Sequence, residues 1–135
     1  MKALDTNVLA RFFIDDADDL EAARQRPAAI EALSQRTFVP VTVLLEFEWV
    51  MRGFYGLPSK DIVRVMSALA AIDHVSIEDR GAVLAALDGY SRGLDFADAL
   101  HLARSARATA FLTFDQKLAR RAGTIEAGLP VELLG

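Results

Sequence analysis

The sequence contains no cysteine. That excludes a disulfide scaffold, a thiolate metal site, a cysteine nucleophile and a redox dithiol. It has no apolar run near the ~20 residues of a membrane span. The N-terminal stretch is not expected to act as a cleavable signal, because Asp5 and Asn7 interrupt the place an apolar core would take. These features predict a cytoplasmic protein with no membrane partner. There is no surplus of basic charge: 15 Lys and Arg face 19 Asp and Glu, for a net charge of −4. A surface that coats nucleic acid non-specifically is therefore excluded, but an acidic nuclease centre is not. The 4 prolines and 8 glycines are scattered, with no repeat, low-complexity tract or linker.

What is present fits one globular domain over 1–135, since a domain takes roughly 150 residues. Hydrophobic residues make up 53% and charged residues 25%, enough for a substantial core. Short apolar runs alternate with helical patterns. Strands are expected at Lys2–Leu4, Phe38–Val41, His74–Ile77, Ala110–Thr113 and, more weakly, Val131–Leu133. Helices are expected at about 7–14, 20–35 (broken or kinked at Pro27), 43–55 (capped by Thr42), 59–72 (capped by Ser59), 79–90, 95–107 and 116–122. Strands separated by helices need crossovers. The pattern therefore predicts an α/β protein with a central parallel sheet and helices on both faces.

In such sheets, sites form beyond the carboxyl ends of the strands. Asp5 closes the first strand and Asp115 follows the fourth. Glu46 lies one turn into the helix after the second strand. Asp98 lies in the first turn of the helix that leads to the fourth. The four account for a charge equal to the whole net charge. Two carboxylates ~4 Å apart repel by about 4 kcal/mol at an effective dielectric near 20. Grouped acids without Cys, and with few His, suit Mg²⁺ or Mn²⁺. A metal so held can acidify and orient water for phosphodiester hydrolysis. Arg11, Arg52, Arg92, Arg104, Lys117, Arg120 and Arg121 are available for phosphate.

Four segments carry a resemblance. Leu4-Asp5-Thr6-Asn7-Val8-Leu9, Leu44-Leu45-Glu46-Phe47, Asp95-Phe96-Ala97-Asp98-Ala99-Leu100 and Leu112-Thr113-Phe114-Asp115 resemble, in order and spacing, the four motifs of PIN-domain nucleases. Size and single-domain build are most similar to the VapC-type toxins of toxin–antitoxin pairs. The resemblance implies a three-layer α/β/α PIN-like fold and an Mg²⁺- or Mn²⁺-dependent endoribonuclease acting on RNA of the tRNA or rRNA class. It also implies a homodimer and a cognate VapB-like antitoxin. Asp5, Glu46, Asp98 and Asp115 become the acidic quartet for catalysis and metal. Asp95, Thr6, Asn7 and Thr113 become accessory positions.

Each residue also has a plainer role. Asp5, Asp95 and Asp115 are good helix caps. Glu46 sits in a helix that is apolar nearly all round, so it is expected to be buried, with Arg52 as an alternative partner to metal. Glu48 is expected to be solvated or ion-paired. Asp98 falls off the stripe of Phe96, Ala99, Leu100 and Ala103, so it can face a cleft. His101 is expected to pack, with a weaker case for contact with Asp98. Trp49, Phe54 and Tyr55 are expected in the core or an interface. The Asp15–Asp19 cluster lacks the Gly and distal Glu of a calcium loop.

Competing functions are an RNA-processing PIN nuclease outside a toxin–antitoxin pair, a non-catalytic module of the same fold, and a phosphotransfer domain. A haloacid-dehalogenase-like phosphatase needs an acid where Asn7 stands. A receiver domain has Glu78 and Asp79 near its acceptor position but lacks the acidic pair at the first strand.

Overall fold

The computed structural model describes residues 1–125 and 128–135. The chain comprises two compact units, Met1–Arg80 and Gly81–Gly135. Among the described residues, no helix is long and apolar enough to cross a membrane.

The first unit alternates β1 (Lys2–Ala3), α1 (Thr6–Phe13), α2 (Leu20–Leu33), β2 (Thr37–Val39), α3 (Val41–Gly53), α4 (Ser59–Ala70) and β3 (Val75–Ile77). The strands pair in the order β1-β2-β3, all parallel, with Lys2 opposite Thr37 and Thr37 opposite Val75. Parallel pairing sets their carboxyl ends at one edge. Pairing continues there: Leu4 N–H donates to Phe38 O at 2.9 Å and Glu78 N–H to Val39 O at 3.0 Å. Leu9, Val39, Leu44, Phe47, Met51, Ile62, Met66 and Leu69 form the core. The Phe13 and Phe47 rings approach to 6.1 Å between centroids.

The second unit holds α5 (Arg80–Ser91, beginning on the boundary residue), α6 (Phe96–Ala103), β4 (Phe111–Thr113), α7 (Gln116–Gly123) and β5 (Val131–Leu133). β4 and β5 are parallel, with Phe111 opposite Val131. Phe96 is fully buried, 5.5 Å from Tyr90 between ring centroids. Gly89 lets α5 pack closely there, since a Cβ would stand 3.2 Å from Leu94 Cδ1 and 3.3 Å from Ala99 Cβ and those side chains would have to shift.

Element order and the wholly parallel α/β pairing match the expectation. Local differences have local causes. Pro27 does not divide α2, because Ala23 and Pro27 are both exposed and water can serve the carbonyl that proline cannot bond. α3 starts two residues before Val43, capped not by Thr42 but by Glu78, whose Oε1 accepts from Val41 N–H at 2.9 Å. Pro58, not Ser59, occupies the cap of α4, without a side-chain hydrogen bond. α6 stops at Ala103 rather than 107, where Ser105 Oγ turns back to donate to His101 O at 2.7 Å.

Candidate functional site

In the first unit the site is built from the edge where the strands end. Asp5 follows β1 in extended backbone and caps α1, its Oδ1 accepting from Thr6 N–H at 2.8 Å. Thr6 is buried, and its hydroxyl donates to Glu46 Oε1. Thr6 therefore ties the first motif to the second: its amide holds Asp5 and its hydroxyl holds Glu46. Asn7 is exposed on the next position of α1.

Glu46 is exposed, contrary to the expectation of burial. The buried stripe of α3 is Val41, Leu44, Phe47, Glu48 and Met51, which follows the helical period. Glu46 falls between its turns, and Glu48 falls on it. Glu48 is 3% exposed and bonded to Arg52, Nε to Oε2 at 2.8 Å. Arg52 thus serves Glu48 and not Glu46. Trp49 and Phe54, at 62% and 73% exposed, are not in the core of this chain.

In the second unit Asp115 follows β4 and caps α7, accepting from Lys117 N–H at 2.9 Å and Leu118 N–H at 3.0 Å. Thr113 Oγ1 accepts from Asp115 N–H at 3.0 Å, which fixes the turn. Asp95 occupies the cap position of α6 without a side-chain hydrogen bond. Asp98 is half-buried in the first turn of the same helix, where the macrodipole favours negative charge. Even so, its carboxyl is pushed above the ordinary carboxylate value. Burial is the first cause, and the charges of Asp95 and Asp115 add to it; His101 works in the opposite direction. His101 is exposed, so it is an electrostatic neighbour of Asp98 and not a packing residue.

Among the described residues, none of Asp5, Glu46, Asp95, Asp98 and Asp115 is ion-paired with Lys or Arg. Nor do three acids or histidines enclose a cation point by themselves. A magnesium site does not require that, because one or two carboxylates suffice when water and substrate phosphate complete the shell. The test of fit is the donor chemistry. Asp98 is an oxygen donor whose negative charge is opposed by two other carboxylates, a conflict that a hard divalent cation relieves. The residues fit such an ion.

Sequence reasoning gave Glu78 little weight. It ends β3 at the same sheet edge as Asp5, and its carboxylate caps the helix that carries Glu46. The available signal was a strand-terminal acid followed by Asp79.

The sequence matches the family described as PIN domain over residues 2–124, a span that takes in both units and all four motifs. No curated protein matches the chain.

Proposed function

The chain belongs to the PIN-domain family, a nuclease fold, and from that membership we propose that it is a divalent-metal-dependent endoribonuclease. The observation that carries the reading is Asp98, a half-buried carboxylate set against the charges of Asp95 and Asp115, opposed by His101 and by no Lys or Arg ion pair among the described residues. Asp5, Glu46, Asp98 and Asp115 are its catalytic and metal-holding acids, and Asp95, Thr6, Asn7 and Thr113 support them. The whole of 1–135 acts as one domain.

Asp5, Asp98 and Asp115, with Glu46 completing the cluster, are the residues that would hold Mg²⁺ or Mn²⁺. When bound, the ion supplies Lewis acidity at the scissile phosphate and a more acidic water. Thr6 keeps Glu46 in one orientation, so its free oxygen can accept a proton from the attacking water. In-line attack on phosphorus then breaks the bond to the 3′ oxygen. The products are a 5′-phosphate and a 3′-hydroxyl.

The four motifs in their order and spacing favour a VapC-type toxin, working as a cytoplasmic homodimer on tRNA or rRNA and silenced by a VapB-like antitoxin. The test is cleavage of a mixed tRNA and rRNA pool by purified protein in Mn²⁺ or Mg²⁺, with EDTA and Asp5→Ala as controls. Discrete cuts lost in both controls are expected. No cutting by folded protein at any metal concentration overturns the nuclease reading. Induced expression separates the finer readings: growth arrest by the wild type but not by Asp5→Ala is expected of a toxin, and unimpaired growth points to RNA processing.

A further inference from the structure

A groove of about 290 Å³ runs between α1 and α2 of the first unit, lined by Asn7, Val8, Arg11, Gln25 and the alanines 28, 29 and 32. It begins beside the catalytic edge, because Asn7 follows Asp5 and Thr6 directly. Arg11 stands one helical turn further along the same face, about 6 Å up the axis.

Arg11 is held differently from several other arginines. Arg24, Arg52, Arg64 and Arg92 each meet a carboxylate. Arg11 has no carboxylate partner among the described residues. Its Nε donates to the neutral Gln25 Oε1 at 2.9 Å, with a longer contact from Nη1 to Tyr55 Oη at 3.5 Å. The guanidinium is thus oriented while its charge stays unspent and Nη2 is free. That is a preorganised receptor for an anion. Around it, the amides of Asn7 and Gln25 offer both donors and acceptors over a floor of small side chains. A volume at the low end of ligand pockets suits one nucleotide.

We infer that this groove seats the nucleotide next to the scissile phosphate of a single-stranded RNA. Arg11 takes its phosphate, and Asn7 and Gln25 read its base edge or 2′-hydroxyl. The assignment rests on the nuclease reading above and extends it to a substrate subsite.

The experiment measures fluorescence anisotropy of a fluorescein-labelled single-stranded RNA of random sequence, in Ca²⁺ to slow cutting, across a salt series. Arg11→Gln is expected to weaken binding about tenfold. It also flattens the salt dependence by about 0.7 in the slope of log K against log salt, the share of one phosphate on a single strand. Arg11→Lys restores the slope. Ala28→Leu narrows the groove from the opposite wall without touching Arg11 and is also expected to weaken binding, which keeps the test decisive if Arg11→Gln folds poorly. Unchanged affinity and slope in Arg11→Gln, or an Ala28→Leu variant that binds like wild type, overturns the subsite and leaves the nuclease reading standing. Wild-type protein that neither binds nor cuts RNA overturns both.

Discussion

Asp5 and Glu46 in the first unit are each given a donor by the fold. Thr6 supplies both, through its amide and its hydroxyl. Asp95 and Asp98 in the second unit accept no hydrogen bond among the described residues, and Asp98 faces the charges of Asp95 and Asp115 instead. The first pair is oriented at the moment the chain folds. In the second unit folding buries Asp98 and sets it among like charges, which raises its carboxyl above the ordinary value. The difference is one of satisfaction: in the first unit the fold supplies its acids with donors, and in the second it leaves Asp98 without one.

The largest effect should come from breaking the second side. Asp98→Asn keeps shape and removes the charge. Cleavage in Mn²⁺ is expected to fall at least about a hundredfold. The same variant should be more heat-stable than wild type in EDTA at pH 7. The sign follows from the raised carboxyl: the folded state keeps the Asp98 proton to a higher pH than the unfolded chain does. Its stability therefore falls as pH rises through that window, and the penalty remains at neutral pH. The advantage of Asp98→Asn in thermal melts should fade as pH drops below the ordinary carboxylate value. A variant less stable than wild type in EDTA at pH 7 would remove the idea of stored repulsion.

Metal addition sharpens the same contrast. Mn²⁺ is expected to raise the melting temperature of wild type, because it binds the folded state preferentially. The rise should be larger for wild type than for Asp98→Asn. Equal shifts would show that the ion is held without Asp98.

The first side is broken by Thr6→Val, which is nearly isosteric and leaves Asp5 its backbone donor. Glu46 then loses the hydroxyl that orients it. Activity is expected to drop about 10- to 100-fold, as for other residues that orient acids at metal centres. Thr6→Ser should recover most of it. If both variants cut like wild type, Thr6 does not direct Glu46.

Much of this was legible in the sequence, and the failures have one origin. Asp5, Asp98 and Asp115 stand where strand-end and first-turn logic placed them, because a parallel sheet leaves little choice about where its loops emerge. Glu46 and Glu48 are two residues apart in an apolar helix, and composition cannot say which lies on the buried stripe. That depends on the phase of α3, which is set by packing of Leu44, Phe47 and Met51. Trp49 and Phe54 were expected in the core or an interface, and their exposure excludes only the core of this chain. The cap of α3 was missed because its donor and acceptor, Val41 and Glu78, are 37 residues apart.

That cap provides the smallest and most selective test. Pro40 precedes α3 and has no side-chain oxygen to offer, so the Val41 N–H relies on Glu78, at 2.9 Å. Glu78→Ala should cost about 1 kcal/mol, the typical worth of a helix cap. In a chain of this size that lowers the melting temperature by about 4 °C. Glu78→Gln keeps an acceptor oxygen and loses only the charge, so its cost should be less than half as large. Both variants leave Thr6 and Glu46 in place, and cleavage should fall by no more than a few-fold. Hydrogen exchange at Val41 reads the cap directly: its amide should exchange faster in Glu78→Ala and near the wild-type rate in Glu78→Gln. If Glu78→Ala instead abolishes cleavage while the melting temperature holds, Glu78 belongs with the acids that do the chemistry, and the first unit holds unspent charge of its own.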